Sequence, residues 1–173
     1  MSELRTTLAV DAARRIRIIA DIAGRTFEED LISPPGVESN YEALNAALNT
    51  SSGRFAVWAL LEAAARRQHD DAQAEASVME ARLYEKYWGE LDNIAPSARG
   101  KLVQARVTQD AEMRTAQERV RDAKEQLEMV TAGRKTIEKR GDTLITIAHN
   151  WRAEMGARLQ VRADQWRPGP ARG

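Results

Sequence analysis

The sequence contains no cysteine, which removes disulfide frameworks and thiolate metal sites from consideration. Proline occurs only at Pro34, Pro35, Pro96, Pro168 and Pro170, so long stretches escape the strongest helix breaker. Aromatic residues are 5 % of the 173 residues, too few for the thick core of a large α/β enzyme. No apolar run approaches the ~18–20 residues that cross a bilayer. The start MSELRTTLAVDAARR has neither the basic beginning nor the uninterrupted apolar core of a signal peptide. These absences lead us to expect no membrane partner and a cytoplasmic location, in the host cell if the protein is viral. Net charge is missing too, since 26 Lys and Arg balance 26 Asp and Glu.

What is abundant is Ala, Arg, Glu and Leu, residues that lose little on entering a helix. Charged residues are 30 % of the chain, which suits long helices burying narrow stripes. The expected fold is all-α: long helices in a helical hairpin or coiled-coil-like bundle with an N-terminal helical arm. Leu4, Leu8, Ala12, Ile16, Ile19 and Ala23 recur at steps of three and four and predict a helix over 3–24, stopped at Gly24. We place this N-terminal helix within 1–32. Residues 33–53 then read as a linker, opened by Ser33-Pro34-Pro35-Gly36, with a possible short helix at 41–49 and punctuation at Thr50-Ser51-Ser52-Gly53.

The long-helix domain is expected over 54–166, followed by a disordered tail at 167–173. Its first stripe is Trp58, Leu61, Ala65, Gln68, Ala72, Ala76, Met79, Leu83 and Tyr87. After Asn93-Ile94-Ala95-Pro96, Ser97 is expected to cap a second long helical region. In that region Val120, Ala123, Leu127, Val130, Arg134, Ile137, Gly141, Leu144, Ala148, Trp151 and Met155 alternate steps of three and four without a slip. A repeat of 3.5 residues keeps one seam facing a partner helix. Leu127, Val130, Ile137, Leu144 and Trp151 are the expected oligomerisation residues. The same stripe is equally compatible with packing inside one chain. Arg134 must snorkel or pair, and Gly141 marks a kink or a close helix approach.

Catalytic chemistry is not visible. His69 and His149 each stand alone, without a second histidine or spaced carboxylates for a metal. Gly100-Lys101 is followed by Leu102 rather than Ser or Thr, so it is no phosphate loop. No enzyme activity, cofactor or metal is expected.

Binding chemistry is more visible. From Arg134 to Gly173 nine basic residues face four acids, and Arg99, Lys101 and Arg106 follow one another with no acid between. Such local fields hold phosphates even in a neutral chain. Tyr84, Tyr87 and Trp88 lie within five residues, beside Arg82 and Lys86, which share a helix face. Cations that track phosphates beside rings that stack on bases are what single-stranded nucleic acid requires. The competing reading is that Tyr84 and Trp88 pack the helix end, since Leu83 and Tyr87 belong to the apolar stripe.

Two patches of the sequence resemble the UvsY-type recombination mediators of tailed phages. One is Ala81-Arg82-Leu83-Tyr84 running into Tyr87-Trp88-Gly89. The other is Ile137 with Arg140-Gly141, Leu144 and Ile147, continuing to Trp151-Arg152 and Glu154. The resemblance covers about residues 50–156, on short motifs of low complexity. Glu80 departs from it, standing where the family has Lys. The resemblance implies a small helical protein that forms ring-like homo-oligomers and binds single-stranded DNA. Its implied work is to help a RecA-like recombinase displace the single-strand-binding protein. Arg82, Lys86, Arg99, Lys101 and Arg106 would then contact phosphates, with Tyr84 and Trp88 stacking or buttressing. The alternatives are a coiled-coil structural or scaffolding protein that binds no nucleic acid, and a peptide-binding adaptor.

Overall fold

The expectation of a helical start fails first. In the computed structural model, which describes residues 3–10, 16–30 and 41–165, the N-terminal segment is a three-stranded antiparallel sheet. β1 is Arg5–Val10, β2 Ile16–Ile22 and β3 Arg25–Asp30, in the order β1-β2-β3. The physical reason is side-chain branching. Thr6, Thr7, Val10, Ile16, Ile18, Ile19 and Ile22 are β-branched, which costs χ1 freedom in a helix and suits a pleated surface. The stripe behind the helical reading is ambiguous in itself. Positions 4, 8 and 16 differ by multiples of four, which approximates whole helical turns and is also even. An even spacing puts them on one face of a strand. The register agrees: Leu8 lies opposite Ile18, Thr6 opposite Ala20 and Val10 opposite Ile16.

Gly24 ends no helix. It shares a two-residue hairpin turn with Ala23, closed by the Ile22–Arg25 pair. Both turn residues have positive φ, 52° at Ala23 and 75° at Gly24. That combination matches the twist of a tight hairpin.

The rest of the described chain is helical: α1 is Tyr41–Glu90, α2 Pro96–Gln109 and α3 Ala111–Gln165. The expected break at 50–53 is absent, because α1 runs through it. Thr50 donates its hydroxyl hydrogen to the carbonyls of Ala46 and Ala47, and Ser51 to that of Leu48. These groups are satisfied by the preceding turn instead of capping a new helix. The expected boundary at residue 54 is corrected accordingly. Pro34-Pro35 and the tail at 167–173 lie outside the described residues.

Ser97 is not the cap of α2. Ala95 holds that place without a side-chain bond, and Pro96 occupies the first turn, where its missing N–H costs nothing. The single helical region expected from Ser97 onward is in fact two helices, parted at Asp110. This residue is extended (ψ 139°) and closes α2 through its N–H to Val107 O. Its side chain then caps α3, accepting the Glu112 N–H at 2.8 Å.

The chain divides into two compact units. One comprises Met1–Leu31 with Val57–Arg134, the other Ile32–Ala56 with Lys135–Gly173. In the first unit α1 and α3 run antiparallel. Trp58 faces Gly133, Glu62 pairs with Arg134, and Arg119 reaches Glu75 at 3.9 Å. Toward the end of α1 a core forms from Ala76, Leu83, Val103, Val107 and Met113, flanked by Met79, Tyr87, Trp88 and Leu91. Leu4 sends its N–H to Gln68 Oε1 at 3.2 Å, tying the sheet to α1. In the second unit Leu44 and Ile137 are buried.

Both stripes read from the sequence are the covered faces of their helices. Every stripe position on α1, from Trp58 to Tyr87, is buried or half-buried, and so is every stripe position on α3 from Val120 to Trp151; of the two stripes only Met155 is exposed. Arg134 pairs, as its place in the stripe requires, with Glu62. The close approach lies at Gly133 rather than Gly141. A Cβ built on Gly133 would stand 2.4 Å from the Trp58 ring, whereas nothing lies within 4 Å of one on Gly141.

Candidate nucleic-acid interface

The aromatic cluster sits where α1 ends, and the core beneath fixes its orientation. Leu83 points inward and is buried. One turn later Tyr87 is half-buried, and its hydroxyl donates to Asp110 Oδ2 at 2.5 Å. That bond ties the end of α1 to the junction of α2 and α3. It holds the Asp110 carboxyl below the usual carboxylate range, helped by the Glu112 N–H. It also pushes the Tyr87 phenol up, with desolvation and the Asp110 charge adding to the effect.

Tyr84 and Trp88, four residues apart, turn outward from that base. Their rings stack with centroids 5.8 Å apart and planes 17° from parallel. Tyr84 is 36 % exposed and Trp88 half-buried. Ring faces are electron-rich and attract cations, and three cations use them. The Arg99 guanidinium lies 5.0 Å from the Trp88 ring centre, Lys86 Nζ 5.1 Å from Tyr87, and the Arg106 guanidinium 5.8 Å from Tyr87.

The expected DNA-contacting residues therefore divide into two groups. Arg99 is held on Trp88, pairs with Asp92 Oδ1 at 3.2 Å, donates to the Asp92 carbonyl, and keeps 11 % of its side chain exposed. Arg106 pairs with Glu90 at 3.3 Å. Both arginines are occupied in bracing the corner. Arg82, Lys86 and Lys101 are exposed, and none of the three forms an ion pair among the described residues. The stretch 79–110 as a whole is neutral. Arg82, Lys86, Arg99, Lys101 and Arg106 are five cations, and Glu80, Glu85, Glu90, Asp92 and Asp110 are five acids. Glu80 accepts from Gln104 Nε2 at 3.2 Å.

The expected oligomerisation residues are covered within the chain to different degrees. Val130 and Ile137 are buried, while Leu127, Leu144 and Trp151 are half-buried. Two positions that organise the site escaped the sequence reading. Asp110 was hidden by its flanks, which continue a helical pattern on both sides; the available signal was an acid with helix-capping character inside that pattern. Asp92, the Arg99 partner, gave no signal, because the pair spans the turn between helices.

A separate open cavity of about 760 Å³ lies between the sheet and the helices of the first unit. Leu4, Ile22, Ala72 and Ala123 line it beside Arg67, Arg119, Asp71 and Asp122, charges of both signs that define no ligand class. Among the described residues no helix is long and apolar enough to cross a membrane. The chain matches no protein family, no curated protein and no solved structure.

Proposed function

We propose that this chain is a homo-oligomeric mediator that binds single-stranded DNA and helps load a RecA-like recombinase onto DNA coated by single-strand-binding protein. The observation that carries the reading is the exposed Tyr84 ring stacked on Trp88, with Arg82 and Lys86 on the same helix end and outside any ion pair among the described residues. A ring facing solvent accepts any base, and neighbouring cations accept the phosphates between bases. In this reading α1 and α3 form a coiled-coil-like hairpin that displays the aromatic corner. Assembly into a ring-like oligomer multiplies contacts that are weak one by one.

The test is binding to an unstructured oligonucleotide across a salt series. Three phosphates neutralised by Arg82, Lys86 and Lys101 give a slope of about −2 in log affinity against log salt, at ~0.7 per contact. Tyr84→Ala is expected to weaken binding by roughly tenfold, the low end of what one stacked base contributes. Arg82→Ala is expected to flatten the salt slope while leaving particle mass unchanged. Absence of binding at low salt removes the mediator. One observation favours a second reading, a structural or scaffolding protein without nucleic-acid binding: the five acids among the five cations of the corner. That reading predicts assembly with no salt-dependent DNA affinity at all.

A further inference from the structure

We propose that β1 is a self-association edge, pairing antiparallel with β1 of a second copy across a twofold axis, with Leu8 opposite Leu8. This proposal rests on the assembled state of the proposed function and gives that assembly a contact.

The two edges of the sheet are built differently. β3 carries Arg25, Glu28, Glu29 and Asp30, four charges in six residues. Charge on an edge strand is a common guard against unwanted pairing. β1, the other edge, carries one charge, Arg5, at its first position, followed by Thr6-Thr7-Leu8-Ala9-Val10. Among the described residues its backbone bonds only to β2. In an antiparallel ladder alternate residues turn their N–H and C=O away from the neighbouring strand, so the outer side of β1 offers unpaired groups. Its apolar side chains are also uncovered: Leu8 is 51 % and Val10 65 % exposed, and Ile16 lies directly opposite Val10.

A second copy fits this edge because a twofold axis makes an antiparallel edge complementary to itself. Side-chain faces fix the register. Even-numbered β1 residues share the face of Ile18 and Ala20, so residues that pair across the axis must have numbers of even sum. Centring on Leu8 sets Thr6 against Val10 and Thr7 against Ala9. It covers both exposed apolar side chains. It also leaves each Arg5 beyond the paired stretch, at opposite ends, so the like charges stay apart. The stripe on α3 is less free to act as the contact, since Val130 and Ile137 are already covered by their own chain.

The absence of cysteine gives a clean test. In this register the two Leu8 Cα atoms stand ~4.5–5.5 Å apart, inside the ~4.4–6.8 Å range of a disulfide. Under mild oxidant Leu8→Cys is expected to become a covalent dimer at low micromolar concentration. Glu28→Cys, on the guarded edge, is expected to remain unlinked. Leu8→Lys, checked for wild-type helicity by circular dichroism, is expected to lower the mass seen by light scattering at least twofold. If Leu8→Lys fails to fold, the cross-link decides alone. Leu8→Cys that stays unlinked, or links no better than Glu28→Cys, overturns the β1 contact. When the wild-type chain is still oligomeric and binds DNA, that result leaves the mediator reading standing. Efficient Leu8→Cys linkage in a chain that ignores DNA does the reverse: it supports the contact and removes the mediator.

Discussion

The close approach of α3 to the Trp58 ring makes opposite predictions for two glycines of the same helix. A helix gains about 1 kcal/mol when an interior Gly becomes Ala. At Gly141 nothing lies within 4 Å of the new methyl group, so Gly141→Ala is expected to raise stability by about that amount. At Gly133 the methyl carbon would stand 2.4 Å from Trp58 Cζ3, 2.8 Å from Cε3 and 3.0 Å from Cη2. Trp58 is 2 % exposed, so its ring has no open space to swing into, and the helices must part or the ring must leave its rotamer. Overpacking of this kind costs ~1–3 kcal/mol, which cancels or exceeds the propensity gain. The two alanine variants should therefore differ by ~1–3 kcal/mol, with Gly133→Ala the less stable. Urea unfolding followed by circular dichroism measures the difference as a shift in midpoint at constant slope. Trp58→Phe shortens the ring and is expected to relieve most of the clash, giving a favourable coupling with Gly133→Ala in a double-mutant cycle. Gly133→Ala as stable as Gly141→Ala would refute the packing argument.

Further expectations concern the charged and titrating contacts. Glu62 and Arg134 pair in the mostly covered space between α1 and α3, so Glu62→Ala, which takes that acid from a largely covered guanidinium, is expected to cost about 1–3 kcal/mol, the penalty for leaving a covered polar group short of a partner. Adding Arg134→Ala should recover part of that loss in urea midpoints, and independent, additive losses would contradict the pairing. The Tyr87–Asp110 bond sets both limbs of a pH profile. With its carboxyl lowered in the folded chain, Asp110 stabilises fully above its unfolded value, and this stability is lost as pH falls below about 3.9. With its phenol raised, Tyr87 stabilises fully below its unfolded value, and this stability is lost as pH rises above about 10. Tyr87→Phe should flatten both limbs of midpoint against pH; unchanged limbs would show that the bond contributes nothing.

The helices were legible and the sheet was not, for one geometric reason. The α3 stripe from Val120 to Trp151 alternates steps of three and four, and no strand period reproduces an odd step. The N-terminal stripe from Leu4 to Ala23 takes four of its five steps as fours, even spacings that serve both geometries, and only Ile16 to Ile19 is odd. Branching should have decided between them: β1 and β2 have seven β-branched residues among thirteen, and propensity outweighs an ambiguous period. Thr50-Ser51-Ser52-Gly53 misled in the opposite direction. Hydroxyls that cap helices also bond back to the preceding turn when both flanks favour a helix.

At the candidate site the sequence shows which residues are charged but not which charges are already committed. Arg99 and Arg82 are equivalent as letters, each a cation near an aromatic. In the folded chain Arg99 lies on Trp88 and bonds to Asp92, while Arg82 is exposed and outside any ion pair among the described residues. For Arg99 to grip a phosphate it must surrender an ion pair, a carbonyl bond and a ring contact, so a new phosphate bond replaces existing ones and adds little. Among the described residues Arg82 and Lys101 have no ion pair to lose, and Lys86 gives up only its position over Tyr87. The physical division therefore runs between bracing and available cations. In the bracing set Arg99 holds Trp88, on which Tyr84 stacks, and Arg106 lies over Tyr87, while the available set supplies whatever affinity for a polyanion the corner has.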